Sequence, residues 1–130
     1  MTDWADDLAR AVTAAEEAGE ILLAHHRDRH ALTVSSKRAG DFVSEADIAA
    51  EAHLRARLQR AGEGWLGEES GADAAGAGGG NGGRRWVVDP LDGTTNFLRG
   101  IPHWCVSVGL EVAGRPRLGV VHDPLRGETF

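Results

Sequence analysis

Trp86-Val87-Val88-Asp89-Pro90-Leu91-Asp92-Gly93-Thr94-Thr95-Asn96-Phe97 is the stretch around which the rest of the chain is arranged. Trp86-Val87-Val88 is a run of strand formers with no polar member, the pattern of a buried strand. Pro90 has no N–H to give a sheet ladder, so the strand is expected to end there. Asp92-Gly93 is a turn signal, and Thr94 or Thr95 can cap a short helix over Thr95–Arg99. Asp89 and Asp92 then stand at a strand end, beside the free N–H groups of a helix start. Carboxylate oxygens suit hard cations such as Mg²⁺, which binds through a few carboxylates plus substrate phosphate. Free N–H groups suit the phosphate itself. Taken alone, the same residues also fit a plain strand, turn and helix cap in which both aspartates only brace the backbone.

Upstream, a first helix is expected from about Asp3 to Arg27. Trp4, Leu8, Ala11, Val12, Ala15, Ala18 and Leu22 recur at helical spacing on one face. Thr2 or Asp3 can cap it. Asp6 and Asp7 in the first turn and His25, His26 and Arg27 in the last suit the helix dipole. Gly19 costs about 1 kcal/mol in a helix interior, which points to close packing there. His26 and His30 have the spacing of a metal pair, but the plainer reading is a frayed basic helix end. Ala31-Leu32-Thr33-Val34 is a weak strand candidate, and Ser35 to Asp41 reads as a polar loop carrying Lys37, the only lysine.

A second helix is expected from Ser44 to about Ala61, with Ser44 as N-cap and Asp47 at the third position, where its carboxylate can close a capping turn. Ala50, Leu54, Leu58 and Ala61 form an apolar stripe about 80° wide. Asp47 projects inside that stripe, and a carboxylate aimed inward needs a partner. Capping and function are both open for it and are compatible. Trp65-Leu66 reads as a short strand with Glu68-Glu69 at its end. Gly71 to Gly83 is a glycine- and alanine-dominated tract read as a flexible loop. Its Gly78-x-Gly80-x-x-Gly83 is no dinucleotide fingerprint, because it precedes a strand and opens no helix.

Downstream, Gly100-Ile101-Pro102-His103 breaks the short helix. Trp104, Val106, Val108 and Leu110 alternate onto one strand face. Ala113-Gly114 is a hairpin turn, Arg117–His122 the return strand, and Glu128-Thr129-Phe130 the start of another. Cys105 reads as a small packed hydrophobe, and His103 and His122 as structural.

The 130 residues amount to one domain, with 42% hydrophobic content and a net charge of −6. That composition is globular, and the charge argues against a nucleic-acid surface. The single cysteine leaves no internal disulfide framework and fits a reducing cytoplasm. No apolar run approaches the ~20 residues needed to span a bilayer, so no membrane partner is expected. The N-terminal residues are acidic where a signal peptide is basic.

Asp-Pro-Leu-Asp-Gly-Thr-Thr-Asn-Phe at 89–97, with Gly67-Glu68-Glu69 before it and Lys37…Asp41-Phe42-Val43-Ser44-Glu45-Ala46-Asp47 further upstream, resembles the inositol monophosphatase family of metal-dependent phosphatases. The resemblance covers nearly all of the chain but only about the first half of a typical member, so residues 1–130 are expected to be the N-terminal domain of a longer protein. It implies an α+β fold: two N-terminal helices packed on a mainly antiparallel β-sheet, the first part of a layered αβαβα sandwich. It implies hydrolysis of a small-molecule phosphomonoester by water, with Mg²⁺ as cofactor. Carried over residue by residue, Glu68, Asp89 and the Leu91 carbonyl hold one metal, and Asp89 and Asp92 a second. Thr94 with Asp47 orients and deprotonates the attacking water near the Glu68 metal. The Gly93 and Thr94 N–H groups hold the phosphate. The family's second metal takes a further aspartate from the C-terminal half, so this segment alone is expected to be weak or inactive. Family members are commonly dimers.

Other branches of the superfamily, acting on histidinol phosphate or nucleotide bisphosphates, are alternatives; Thr95 favours the inositol branch. A haloacid-dehalogenase-type phosphatase needs aspartates two apart, one of them a covalent nucleophile, whereas these are three apart. A non-catalytic metal-binding or interaction module is the alternative of another class.

Overall fold

A computed structural model describes residues 4–28, 36–68, 71–72 and 83–130. Helices α1 (Ala5–Asp28) and α2 (Ser36–Leu58) come first. Strands β1 (Gly64–Gly67), β2 (Gly71–Ala72) and β3 (Arg84–Asp92), the short helix α3 (Thr94–Arg99), and strands β4 (Cys105–Val112), β5 (Arg115–Asp123) and β6 (Glu128–Thr129) follow. The strands form one sheet in the order β2-β1-β3-β4-β5-β6. Among the described residues only β1 and β3 pair in parallel; every other neighbouring pair is antiparallel. The expected α+β class holds: α1 and α2 pack on each other and on the sheet, α1 over β4 and β5 and α2 over β3.

The helical periodicity of α1 is largely borne out, since Ala11, Ala15, Ala18 and Leu22 are fully buried. Leu8 departs from it at 42% exposure. The small residues bring α1 close to the sheet. A Cβ on Gly19 would lie 2.8 Å from His122 Cδ2 and 2.9 Å from Pro124 Cγ, so the expected close packing is real.

The start of α2 corrects the sequence reading. The helix begins at Ser36, so most of the stretch read as a polar loop is helical. Ser44 lies inside it and cannot be its N-cap, and Asp47 is not at its third position. Lys37, Arg38 and Ala39 are good helix formers, and Val43 extends the apolar stripe onto the core. Packing of that stripe outweighs the about 1 kcal/mol that Gly40 costs. The helix stops at Leu58, and Ala61 is exposed beyond it. The strand candidate at 31–34, His30 and the caps Thr2 and Asp3 lie outside the described residues, as does most of the glycine tract.

β3 is also longer than expected, running through Pro90 to Asp92. The register with β4 slips between Asp89 and Asp92. Pro90 falls in that irregularity, where a missing N–H breaks no ladder bond. In β4 the alternation is as read: Trp104, Val106, Val108 and Leu110 are at most 3% exposed. Ala113 and Gly114 both have positive φ, 52° and 76°, the signature of a two-residue primed hairpin turn.

The beginning of β3 carries a closed ion network. Arg84 Nε donates to Glu63 Oε2 and Arg84 Nη2 to Asp7 Oδ1, both at 2.7 Å. Glu63 Oε1 also accepts from the Arg60 backbone N–H at 2.8 Å and from Trp86 Nε1 at 3.1 Å. Burial pushes the Glu63 carboxyl up, but Arg84, Arg60 and Trp86 outweigh it and hold it below its ordinary range. Among the described residues no helix is long and apolar enough to cross a membrane.

Candidate functional site

The other end of β3 is acidic. β1 and β3 run the same way, with Gly67 opposite Val88, so their C-terminal ends emerge side by side. The next residues in step are Glu68 and Asp89, and their side chains hydrogen-bond to each other. Two carboxyl groups share a hydrogen bond only if one of them holds a proton. Burial, followed by the Glu68 hydrogen bond and charge, pushes the Asp89 carboxyl up to about 6, against a weaker opposing hydrogen bond from the Leu91 backbone. Asp89 Oδ1 is buried and has no hydrogen-bond partner among the described residues. The residue holds more negative charge than its surroundings satisfy.

Asp92 is exposed at the end of β3, opposite Cys105 on β4. The Cys105 thiol is pushed up by burial, then by Asp92, Asp89 and Asp123. Cys105 is thus only half-buried and faces carboxylates, which is more polar company than its reading as a packed hydrophobe implied. Asp123 stands at the end of β5. Asp123-Pro124-Leu125 repeats the Asp89-Pro90-Leu91 triplet, a signal that could have placed it at a second strand end. It is already neutralised: burial raises its carboxyl, but Arg126, which donates from Nη1 at 2.9 Å and from its backbone N–H at 3.1 Å, holds it low.

α3 opens at this edge, with Gly93 rather than Thr94 or Thr95 as its N-cap, and no side-chain cap bond. Gly93 has φ 96°, and a Cβ there would lie 2.7 Å from the His103 carbonyl oxygen. A threonine cap is therefore replaced by a glycine turn, and Thr94 becomes the first helical residue. Asn96 Nδ2 donates to the same His103 carbonyl at 2.8 Å. His26 does not fray: it is buried, with its ring centroid 5.1 Å from Phe97 and 5.3 Å from Trp104. An open cleft of about 380 Å³ runs past Asp92, Gly93, Asn96, Cys105, His103 and Arg126.

Asp47 is 3% exposed on the inner face of α2, as its place in the apolar stripe required. α2 packs on β3 and touches α3. Glu51, one turn on, is 5% exposed; the sequence reading does not single it out, and its spacing from Asp47 is the signal that marks it. Leu91 has a buried side chain.

Among the described residues no three of His, Cys, Asp and Glu converge closely enough to enclose a metal ion. Glu68 and Asp89 nevertheless fit a hard cation. They are oxygen donors, they repel unless a positive charge lies between them, and Asp89 Oδ1 has a free lone pair. Mg²⁺ keeps several waters and needs few protein ligands.

Fold and edge together define an α+β protein that gathers acidic side chains at neighbouring strand ends. A sequence model described as the inositol monophosphatase family matches residues 3–130, and the chain belongs to that family. It is similar to the Nus factor SuhB of Xylella fastidiosa, 45% identical over 92% of this chain and 42% of that protein. It is equally similar to an inositol-1-monophosphatase of Mesorhizobium japonicum, 45% identical over 92% of this chain and 44% of that one. The solved inositol monophosphatase of Anabaena (Nostoc) sp. PCC 7120 superposes with a TM-score of 0.79 at 34% identity, over 99% of this chain and 44% of the other. The chain thus spans less than half the length of these relatives.

Proposed function

We propose that this chain is part of a Mg²⁺-dependent phosphomonoesterase whose substrate is an inositol monophosphate. The observation that carries the reading is the Glu68–Asp89 pair, two carboxyls held together with one buried oxygen unsatisfied. When bound, the cation supplies Lewis acidity and a water activated at neutral pH. Glu68, Asp89 and the Leu91 carbonyl would hold one ion, and Asp89 with Asp92 a second. The Gly93 and Thr94 N–H groups would bind and orient the phosphate. Thr94, backed by Asp47, would hold the attacking water in line and take its proton. Water oxygen bonds to phosphorus, the ester P–O bond breaks, and the leaving alcohol takes up a proton.

The family match and the relative named inositol-1-monophosphatase support this substrate class over histidinol phosphate or nucleotide bisphosphates. The 130-residue segment alone is expected to be weak, because Asp89 and Asp92 would offer the second ion only two carboxylates. A cytoplasmic location fits the single cysteine and the lack of a nucleic-acid surface fits the charge of −6; a homodimer is expected from the family alone. Mg²⁺-dependent phosphate release from inositol 1-phosphate, with histidinol phosphate and 3′-phosphoadenosine 5′-phosphate alongside, tests the reading. Equal, metal-independent release from the Asp89→Asn variant would sink it. Trapping of a phosphoaspartate would transfer the assignment to covalent chemistry.

The relative named Nus factor favours a second reading, that of a factor acting by binding rather than by turnover. Under it, Asp89→Asn would leave the protein's cellular role intact while abolishing phosphate release.

A further inference from the structure

Asp47 and Glu51 stand one helical turn apart on the buried face of α2, among Ala46, Ala50, Leu54 and Leu58. Glu51 does not reach out to solvent. Its carboxylate lies against the Cα of Gly67, where a methyl group on residue 67 would overlap it. Gly67 is the last residue of β1 and stands opposite Val88. The Glu51 carboxylate therefore occupies the space of a residue-67 side chain, one residue before Glu68 in the chain.

An apolar residue at 51 and an alanine at 67 would fill the same volume without burying a charge, and burying a charge is costly. A carboxylate kept there instead fixes how far α2 stands from the end of β1. α2 carries Asp47 and β1 delivers Glu68. We propose that Glu51 is a positioning residue: it sets the spacing between α2 and the end of β1, and so the placement of Glu68 relative to Asp47. The inference rests on the metal-phosphatase reading. Glu51 itself touches neither substrate nor cation in this role.

The test is a size-exchange cycle on the intact protein, read by Mn²⁺ binding in the absence of substrate. Urea unfolding of each variant is run first. Glu51→Ala and Gly67→Ala are each expected to weaken Mn²⁺ binding about 10-fold, the scale of supporting-shell losses. Glu51→Gln keeps the shape and is expected to stay within about 3-fold of wild type. The double variant Glu51→Ala/Gly67→Ala restores the filled space, so its affinity should recover to within about 3-fold, a strong departure from additivity. Because urea unfolding shows each variant to be folded where affinity is read, a general loss of stability would not produce the losses in the single variants. Wild-type affinity in Glu51→Ala, or a double variant as weak as the product of the singles, would overturn the proposal. If Glu51→Ala does not fold, Glu51→Asp with Gly67→Ala carries the same cycle. Failure of the underlying reading looks different: Mn²⁺ binding in the wild type would then be absent or indifferent to Asp89→Asn.

Discussion

The two ends of β3 make opposite use of buried acids. At the start, Glu63 and Asp7 are answered by Arg84, with Trp86 and the Arg60 N–H completing the set. At the finish, Asp89 meets another carboxyl, Glu68, and keeps an unsatisfied oxygen. One end carries its own cation and is complete as folded. The other has no counter-charge among the described residues, and under the proposed function a bound cation would complete it. The strand between them teaches that buried acidity alone marks neither stability nor function. What distinguishes the two is whether the counter-charge is covalently part of the chain.

The sharpest way to break this contrast is to neutralise the second end. Asp89→Asn is expected to lower phosphate release by the intact protein about 1,000-fold, in the range for lost electrostatic stabilisation of developing charge. The same change should make the metal-free protein no less stable in urea, because it removes a repulsion. A metal-free variant that unfolds earlier than wild type would show that Asp89 is a structural acid like Glu63.

Glu63→Ala is the converse. It leaves Arg84 and Trp86 with unanswered donors, and about 3 kcal/mol of stability should be lost. Urea midpoints measure this, and Mn²⁺ affinity should hardly move. A large loss of affinity with intact stability would couple two ends that the contrast separates.

pH separates them by sign. The folded Asp89 carboxyl is raised from 3.8 to about 6, so the folded chain binds more protons than the unfolded one in that interval. Its contribution to metal-free stability is present at low pH and is lost as pH rises through about 6. Glu63 is lowered from 4.5, so its contribution is present above that value and is lost as pH falls below it. In EDTA, the stability gap between wild type and Asp89→Asn should therefore grow in favour of the variant as pH climbs from about 4 to about 6 and level off above that. The gap to Glu63→Gln should run the other way and close in acid. Saturating Mg²⁺ should shrink the first gap and spare the second.

The smallest effect serves as a control far from both ends. Ala113 is the only described residue other than glycine with positive φ, a conformation that asparagine tolerates better. Ala113→Asn should add about 0.5–1 kcal/mol, read as a small rise in melting temperature with unchanged turnover.

Much of this contrast can be read from the sequence, and the reasons for the rest are local. The motif at 89–97 identifies the acidic edge because its residues are contiguous and carry their own turn chemistry. The alternation of β4 and the packing of Gly19 are equally legible. The start of α2 is not, since packing of Val43 onto the core overrides the loop-like composition of residues 35–41. Pro90 misleads because a break in register shelters it, and only the partner strand shows that break. Asp47 is visible as an inward carboxylate, and Glu51, four residues on, shares its face; what the sequence does not show is that Gly67 makes room for it. Arg84 and Asp7 lie far apart in the chain, and neither has a neighbour in sequence that announces the other.

The parallel pairing of β1 and β3 has a consequence for chain length. Glu68 and Asp89 meet because Gly67 and Val88 are in register, and the intervening chain only has to return to the starting edge of the sheet. Closing a flexible segment costs about 0.6 kcal/mol for each doubling of its length. The spacing of the acidic pair is therefore set by the strand register and depends only weakly on the length of chain between the two strands. A fluorescent reporter placed within residues 75–80 should leave Mn²⁺ affinity as it was.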